Sequence, residues 1–503
     1  MNTISYKKSG MDNAEPLYWK KRKLDFLFMR LYHLMRYVFA LLSLWSSVTL
    51  AETTLDPFNT EAMLPLKPAL RLGGAVGDPC AEPMPAGALN LLEVVNLALC
   101  NNPQTREVWA SARAQAAQVG VSKGSYLPGL SLSASHNRFS PGVSQRNIGL
   151  TLSYLLYDFG SRAASLENAR QLLIAANATQ DSTVQTVFLQ AVQSFYQVQA
   201  TQAALDAALE SERAAKESFA AAEARYTAGS ATPADKLQAQ TAYSQATLNH
   251  ITADGSLKNA RGSLANIIGL DASRNVALVT ANTVTAPTTF DRDVNALIEE
   301  AKLRRPDLQA AIAQVKAAEA SVDAARAAGR PTLSLTASNT QTTSVGITSH
   351  GSSVGLSASV PLFSGYAPTY RIRAAEAQVE TRNAQLDRLQ LQVAMDVWTA
   401  YQNLVTAAQS LRTTADLLGS AEQSERVALG RYKAGVGSIL DVLNAQSAMA
   451  SARQQRIQST FNWNINRAAL AQAMGNLDAG LLQELSGSSQ PPGANLQREK
   501  TQP

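Results

Sequence analysis

Two aspartates recur in nearly the same sixteen-residue phrase. Asp235 lies in RYTAGSATPADKLQAQ (Arg225 to Gln240) and Asp441 in RYKAGVGSILDVLNAQ (Arg431 to Gln446). Half of the aligned positions are identical: Arg, Tyr, Ala, Gly, Asp, Leu, Ala and Gln. Each aspartate follows a hydroxyl residue by three positions, Thr232 and Ser438. That spacing caps a helix N-terminus, with Pro233 at the favoured first helical position. A second chemistry is open to the Asp441 carboxylate. Copies gathered around a symmetry axis repel one another, attract cations and form a charged constriction.

Other chemistry-bearing patterns are missing. His33, His136, His250 and His350 are scattered without metal-ligand spacing. No P-loop, GxSxG or HExxH occurs, so the expectation is no catalytic residues, no metal and no cofactor. The chain is read as a non-enzyme whose energy comes from a partner. Cys80 and Cys100 are the only cysteines. In an exported chain they meet an oxidising compartment, and both a disulfide and two unpaired thiols remain open.

The formal charge of the 503 residues is +5. Residues 1–51 hold eight basic residues, from Lys7 to Arg36, against Asp12, Glu15 and Asp25. They carry the whole excess, and a neutral body argues against nucleic acid as a partner. This basic segment runs into YVFALLSLWSSVTLA (Tyr37 to Ala51), the order of a secretory signal, with an uncleaved anchor as the alternative. No Cys ends the apolar run, so lipid attachment there is unavailable. No later stretch reads as a transmembrane helix, so further membrane contact must use strands.

The elements that would position the two phrases come in two matching sets. After an extended Pro- and Gly-rich arm (52–90), a first unit spans 91–270 and a second 293–476, joined by a linker at 271–292. Each reads as helices, a β-hairpin (about 126–157 and 331–364), one long helix, a tip (227–232 and 434–438) and a shorter helix. Residues 477–503 read as a disordered tail. LPGLSLSAS (Leu127 to Ser135) matches RPTLSLTAS (Arg330 to Ser338), and GLTLSYLLY (Gly149 to Tyr157) matches GLSASVPLF (Gly355 to Phe363). The helical stretch from Ser161 to Thr227 has no Pro and no Gly, and spans roughly 100 Å at 1.5 Å per residue. Gly229 and Gly435 would let the chain reverse at positive φ.

Strands that are apolar on one face, small and polar on the other, with aromatics at their margins fit a transmembrane β-barrel. Four strands cannot close one, and lipid tolerates no open edge, so several copies must combine in a ring. The long Ala-rich helices would continue the barrel as a helical cylinder. The rival is a periplasmic coiled-coil adaptor with its strands in a soluble domain.

The duplicated half, the RPxL approach to the strand and the two RYxAG…D.L.AQ tips resemble the TolC family of outer-membrane factors. The resemblance covers about residues 90–476, and within the family the chain looks closest to channels of type I protein secretion. It implies a mixed α and β membrane protein: a homotrimeric, 12-stranded transmembrane β-barrel in the outer membrane, four strands per protomer, continued by an α-helical periplasmic barrel. It implies a periplasmic adaptor, an inner-membrane ABC transporter and a secreted protein cargo as partners. Small-molecule efflux with an RND pump is the alternative. By the same resemblance Asp441 belongs to a constricting acidic ring, whose second acidic position falls at the neutral Asn444. Tyr432 matches a tyrosine that bonds the acidic residue of the other tip, here Asp235, as a latch. A family arginine falls at Gly437, and its absence implies easier opening. Gly229, Ser230, Gly435, Gly437 and Ser438 form the expected adaptor-docking tips, where small residues allow close packing.

Overall fold

A computed structural model describes residues 56–64, 80, 87–140, 142–274, 276–279 and 293–477. The expected signal segment (1–51), most of the arm and linker, and the expected tail lie outside these residues. Residues 1–59 form one unit and 60–503 another; everything below concerns the second.

Its elements are α1 (Leu91–Asn101), α2 (Pro103–Gly124), β1 (Gly129–Phe139), β2 (Val143–Tyr157), α3 (Ser161–Thr227) and α4 (Pro233–Ile267). The series then repeats as α5 (Val294–Arg304), α6 (Pro306–Ala327), β3 (Thr332–Ser344), β4 (Ile347–Ser359), α7 (Ala367–Lys433) and α8 (Ile439–Ala473). The helices of both series are 11, 22, 67 and 35 residues long. Local chemistry sets these limits. Proline stands in the first turn of α2, α4 and α6, where its missing N–H is not needed. Asn90 and Glu93 form a capping box at α1. Gly269 (φ 76°) and Gly475 (φ 73°) end α4 and α8 in the left-handed region. Both also have a neighbouring backbone where a Cβ would go, at Asn101 and at Arg304–Arg305.

The helices lie side by side. Near the hairpins the order is α2, α3, α6, α7; towards the tips it is α4, α3, α8, α7. α2 followed by α4 therefore lines α3, and α6 followed by α8 lines α7. Each repeat builds a core around the corresponding stretch of its long helix. One gathers Phe188, Phe195 and Tyr196 of α3 with Val94 and Leu99 of α1 and Leu264 of α4. Another gathers Val393, Val397 and Leu404 of α7 with Leu308 of α6 and Trp463 of α8. Burial of Tyr196 pushes its hydroxyl pKa up to about 12. Arg305, the N-cap residue of α6, holds Asp307 and Asp396 at 2.7 and 3.0 Å and so ties α6 to α7. Cys80 and Cys100 are joined by a disulfide, with a Cα–Cα distance of 5.3 Å.

The four strands form one antiparallel sheet in the order β1-β2-β3-β4. Cross-strand partners share a face. One face carries Leu130, Leu152, Ala337 and Val354 in a single row. The other carries Ser131, Thr151, Ser338 and Ser353. On that small polar face, hydroxyls pair across strands: Ser334 with Ser357 at 2.7 Å and Ser338 with Ser353 at 2.8 Å. A bulge at Leu155/Tyr157 interrupts the ladder near the helices.

This protomer has open flanks. β1 and β4 each lack one strand neighbour in the sheet. Along the outer helix α7, Leu391, Met395 and Trp398 recur at helical spacing and are 75%, 58% and 45% exposed. Along the opposite flank, α4 exposes Leu237, Leu248 and Ile251. Among the described residues no helix is long and apolar enough to cross a membrane.

Candidate functional site: the paired helical tips

The two tips share one backbone design. At the end of α3, the Gly229 N–H donates to Tyr226 O and the Ser230 N–H to Arg225 O, at 3.0 and 2.9 Å. At the end of α7, Gly435 donates to Tyr432 O and Val436 to Arg431 O, at 3.1 and 3.0 Å. Both are Schellman turns, with Gly229 at φ 73° and Gly435 at φ 78°. The chain then re-enters a helix through a capping box. The Thr232 N–H donates to Asp235 Oδ2 at 2.9 Å and Asp235 N–H returns to Thr232 Oγ1 at 3.2 Å. The Ser438 N–H donates to Asp441 Oδ2 at 3.3 Å. Hydrogen bonds from the Thr232 N–H first, and its hydroxyl second, hold the Asp235 carboxyl below the usual carboxylate range.

The tips touch through a small core of Ala222, Ala239, Tyr432, Ile439 and Val442. Above it, Arg225 Nη2 donates to Tyr432 O at 2.8 Å while its guanidinium lies 4.1 Å from the Tyr432 ring centroid. One side chain thus ties the first tip to both the backbone and the ring of the second. A turn further along the shaft, Ser218 and Gln446 exchange hydrogen bonds at 3.1–3.3 Å. Lys236 pairs with Glu223 at 2.9 Å and lies 5.7 Å from the Tyr226 ring.

The expected Asp235–Tyr432 pair is not hydrogen-bonded within this chain. The carboxylate is turned onto Thr232 in the capping box, and the Tyr432 ring is covered by Arg225. Arg225 is the cross-tip group instead. The sequence signal was only the Arg-Tyr doublet in both repeats, because the contact joins residues 207 apart. Asp441 and Asn444 are both exposed, three residues apart on one face of α8. At Gly437 a Cβ would lie 3.0 Å from Arg431 Cβ and from Tyr432 N, so any side chain there shifts the tip. Gly229 and Gly435 face open space. Leu237, Val436 and Leu440 stand exposed beside them.

A second polar cluster braces α3 against α4, remote from the tips. Glu212 accepts from Thr247 Oγ1 at 2.7 Å and meets His250 Nδ1 at 2.8 Å. The Thr247 hydroxyl first, and His250 after it, hold the Glu212 carboxyl low. Among the described residues no group of His, Cys, Asp or Glu is arranged to hold a metal ion.

Residues 94–270 and 297–476 match the family described as outer membrane efflux protein. Protein CyaE of Bordetella pertussis is 34% identical over 419 residues, spanning 80% of this chain and 88% of that protein. Outer membrane protein TolC of Escherichia coli is 25% identical over 416 residues, spanning 78% and 83%. Among solved structures, the CmeC outer membrane channel of Campylobacter jejuni superimposes with a TM-score of 0.70 at 19% identity, covering 77% of this chain and 86% of that one.

Proposed function

The chain belongs to the outer membrane efflux protein family and is a channel protein of the outer membrane that extends into the periplasm; from that premise we propose that three copies close into the exit duct of a tripartite export system. The observation that carries this reading is the pair of open flanks. β1 and β4 lack partners at opposite edges of a four-stranded sheet. Exposed apolar stripes run along α4 and α7 at opposite edges of the helical layer. Placing the β4 and α7 flank of one copy against the β1 and α4 flank of the next satisfies both, and a ring leaves no edge. Three protomers supply twelve strands.

In this reading an inner-membrane ABC transporter supplies the energy and a periplasmic adaptor joins it to the tips. The cargo is a secreted protein, passed directly to the outside. The similarity to the proteases secretion protein PrtF of Dickeya chrysanthemi, 23% identical over 399 residues, supports a protein cargo. Efflux of small molecules is the second reading, because the Ser- and Thr-lined sheet face is chemically neutral towards cargo. No reaction is assigned to the protein. Asp441 and Asn444, exposed on one face of α8, line the constriction at the tips as a mixed acidic and amide ring. Because Asn444 is neutral, this ring is less cation-selective than one built of two acidic positions. The Arg225–Tyr432 contact takes the part of the latch. Gly229, Ser230, Gly435, Gly437 and Ser438, with exposed Val436 and Leu440, form the adaptor-docking rim.

The test is to purify the protein from membranes in detergent, measure its mass, and record single-channel conductance for wild type and Asp441→Ala. A trimer with small cation-selective conductance that rises or loses selectivity in the variant supports both channel and ring. Unchanged conductance in the variant leaves Asp441 as a helix cap. A soluble, non-conducting protein ends the proposal.

A further inference from the structure

The outward face of the sheet changes character along the strands. Starting at the helices, it carries Tyr157, Tyr154, Leu152, Leu150 and Ile148 on β2, and Leu130, Leu132 and Ala134 on β1. The next positions on that face are His136 and Arg138 of β1 and Arg146 of β2. His136 and Arg146 are direct cross-strand partners, and Arg138 is the next same-face residue on its strand. All three are exposed. On the second hairpin the apolar stretch ends earlier, after Ala337 and Val354, and is followed by Asn339, Ser352, Gln341 and His350. The boundary thus crosses the rows obliquely, as a horizontal membrane surface must cross strands tilted by about 40°.

The height of this cluster follows from strand geometry. Tyr157 to Arg146 is eleven residues, or about 36 Å of strand at about 3.3 Å each. With a tilt of about 40° that is about 28 Å of vertical rise, close to the thickness of the hydrocarbon core. The helices join the sheet at its other end, and the turns beyond the cluster are short, at residues 140–142 and 345–346. His136, Arg138 and Arg146 therefore stand at the level of the outer-leaflet headgroups, and the short turns leave them uncovered.

Among the described residues nothing compensates the charge there. Residues 129–157 and 332–359 contain no Asp or Glu. Among the described residues neither arginine makes an ion pair. Arg138 and Arg146 are diagonal neighbours on one face of the strand pair, and their like charges repel unless an anion joins them. Guanidinium groups take up phosphate through paired N–H donors. We propose that His136, Arg138 and Arg146 form a site on the outer wall of the barrel for the phosphate-bearing headgroups of outer-leaflet lipid. The site fixes the height of the barrel in the membrane and is present once per protomer. It rests on the outer-membrane placement of the hairpins and on their closure into a barrel with other copies, and is independent of the cargo.

The experiment uses the full chain purified in detergent. Mixed micelles are doped with diphosphorylated lipid A or with its dephosphorylated form, and the probe retained per protein is quantified by native mass spectrometry. Wild type should retain the phosphorylated probe at least about fivefold better, with the preference collapsing as salt screens the contact. Arg138→Gln/Arg146→Gln should abolish the preference, Arg138→Lys/Arg146→Lys should keep part of it, and Arg371→Gln on α7 should leave it intact. Equal retention of the two probes by wild type, or an unchanged preference in the glutamine pair, overturns the site. Displacement of the lipid by millimolar inorganic phosphate overturns the lipid assignment, because a free ion would then suffice. If the glutamine pair fails to fold, wild type decides alone: a salt-insensitive preference overturns the proposal and a salt-sensitive one supports it.

Discussion

Replacing Arg225 by alanine should open the tips. The side chain contributes a charge-assisted hydrogen bond to Tyr432 O at 2.8 Å and a ring contact at 4.1 Å. A hydrogen bond to a charged group is worth about 1.5–3 kcal/mol and a guanidinium over a ring at a partly exposed site about 0.5–1 kcal/mol. Arg225 is only half-buried, so solvent takes over part of each interaction, and about 2 kcal/mol per protomer is a fair estimate. That is about a thirtyfold change in the balance between tied and released tips. If three protomers open together, the shift is about 6 kcal/mol, enough to move a closed population to an open one. The assay is conductance of the purified channel in a planar bilayer. Arg225→Ala should give longer or larger openings, and Arg225→Lys an intermediate response, since lysine keeps the charge but loses the planar stack. Unchanged conductance alongside lowered thermal stability would refute the reasoning, because the contact would then persist equally in closed and open states.

The tips should also respond to acid. Asp235 has a depressed carboxyl pKa, so its stabilising contribution is full above the unfolded value near 3.9 and is lost as pH falls through the folded value; amide exchange at 228–236 should quicken below about pH 4 in wild type and not further in Asp235→Asn. Gly269→Ala should lower stability by about 2–4 kcal/mol, since it adds left-handed strain to a Cβ 2.6 Å from Asn101 O; Gly229→Ala, in open space, should lose only about 1 kcal/mol, and thermal melts that rank the two the other way would contradict this. Cys80 and Cys100 are 20 residues apart, and the chain-entropy relation gives about 3 kcal/mol for such a loop; Cys80→Ser/Cys100→Ser should melt lower than wild type, and reductant should lower wild type alone. Arg431 should pack on the partner subunit's Tyr226 as Arg225 packs on Tyr432, and a double-mutant cycle on trimer stability should give a coupling of about 1 kcal/mol.

Much of this molecule was legible because its signals are local. The glycine–hydroxyl–aspartate order at each tip dictates a Schellman turn followed by a capping box, and Gly229, Gly435, Asp235 and Asp441 do that here. Period-two alternation located the strands and separated Leu130 and Leu132 from Ser131 and Ser133. What local pattern could not give was registration between distant segments. Nothing in Arg225 says that it meets Tyr432 rather than solvent, because that depends on how the two hairpins pack. Nor does the apolar alternation of β1 say that His136 continues its face at membrane-surface height until the register with Arg146 is known.

The duplication explains why each Arg-Tyr doublet puts only one of its two residues into the cross-tip contact. Each half presents an arginine to one side and a tyrosine to the other, so a row of halves joins head to tail. Inside one chain only the first junction exists. It half-buries Arg225 and buries Tyr432, whereas Arg431 and Tyr226 remain exposed at the two outer flanks. The sheet shows the same arithmetic: β2 finds β3 across the junction of the halves, and β1 and β4 are left over. A heterologous contact repeated between halves must close on itself or grow without limit. In the proposed ring the second junction is made between chains with the geometry of the first, and the proposed constriction at the tips is then built from six nearly equivalent units rather than three.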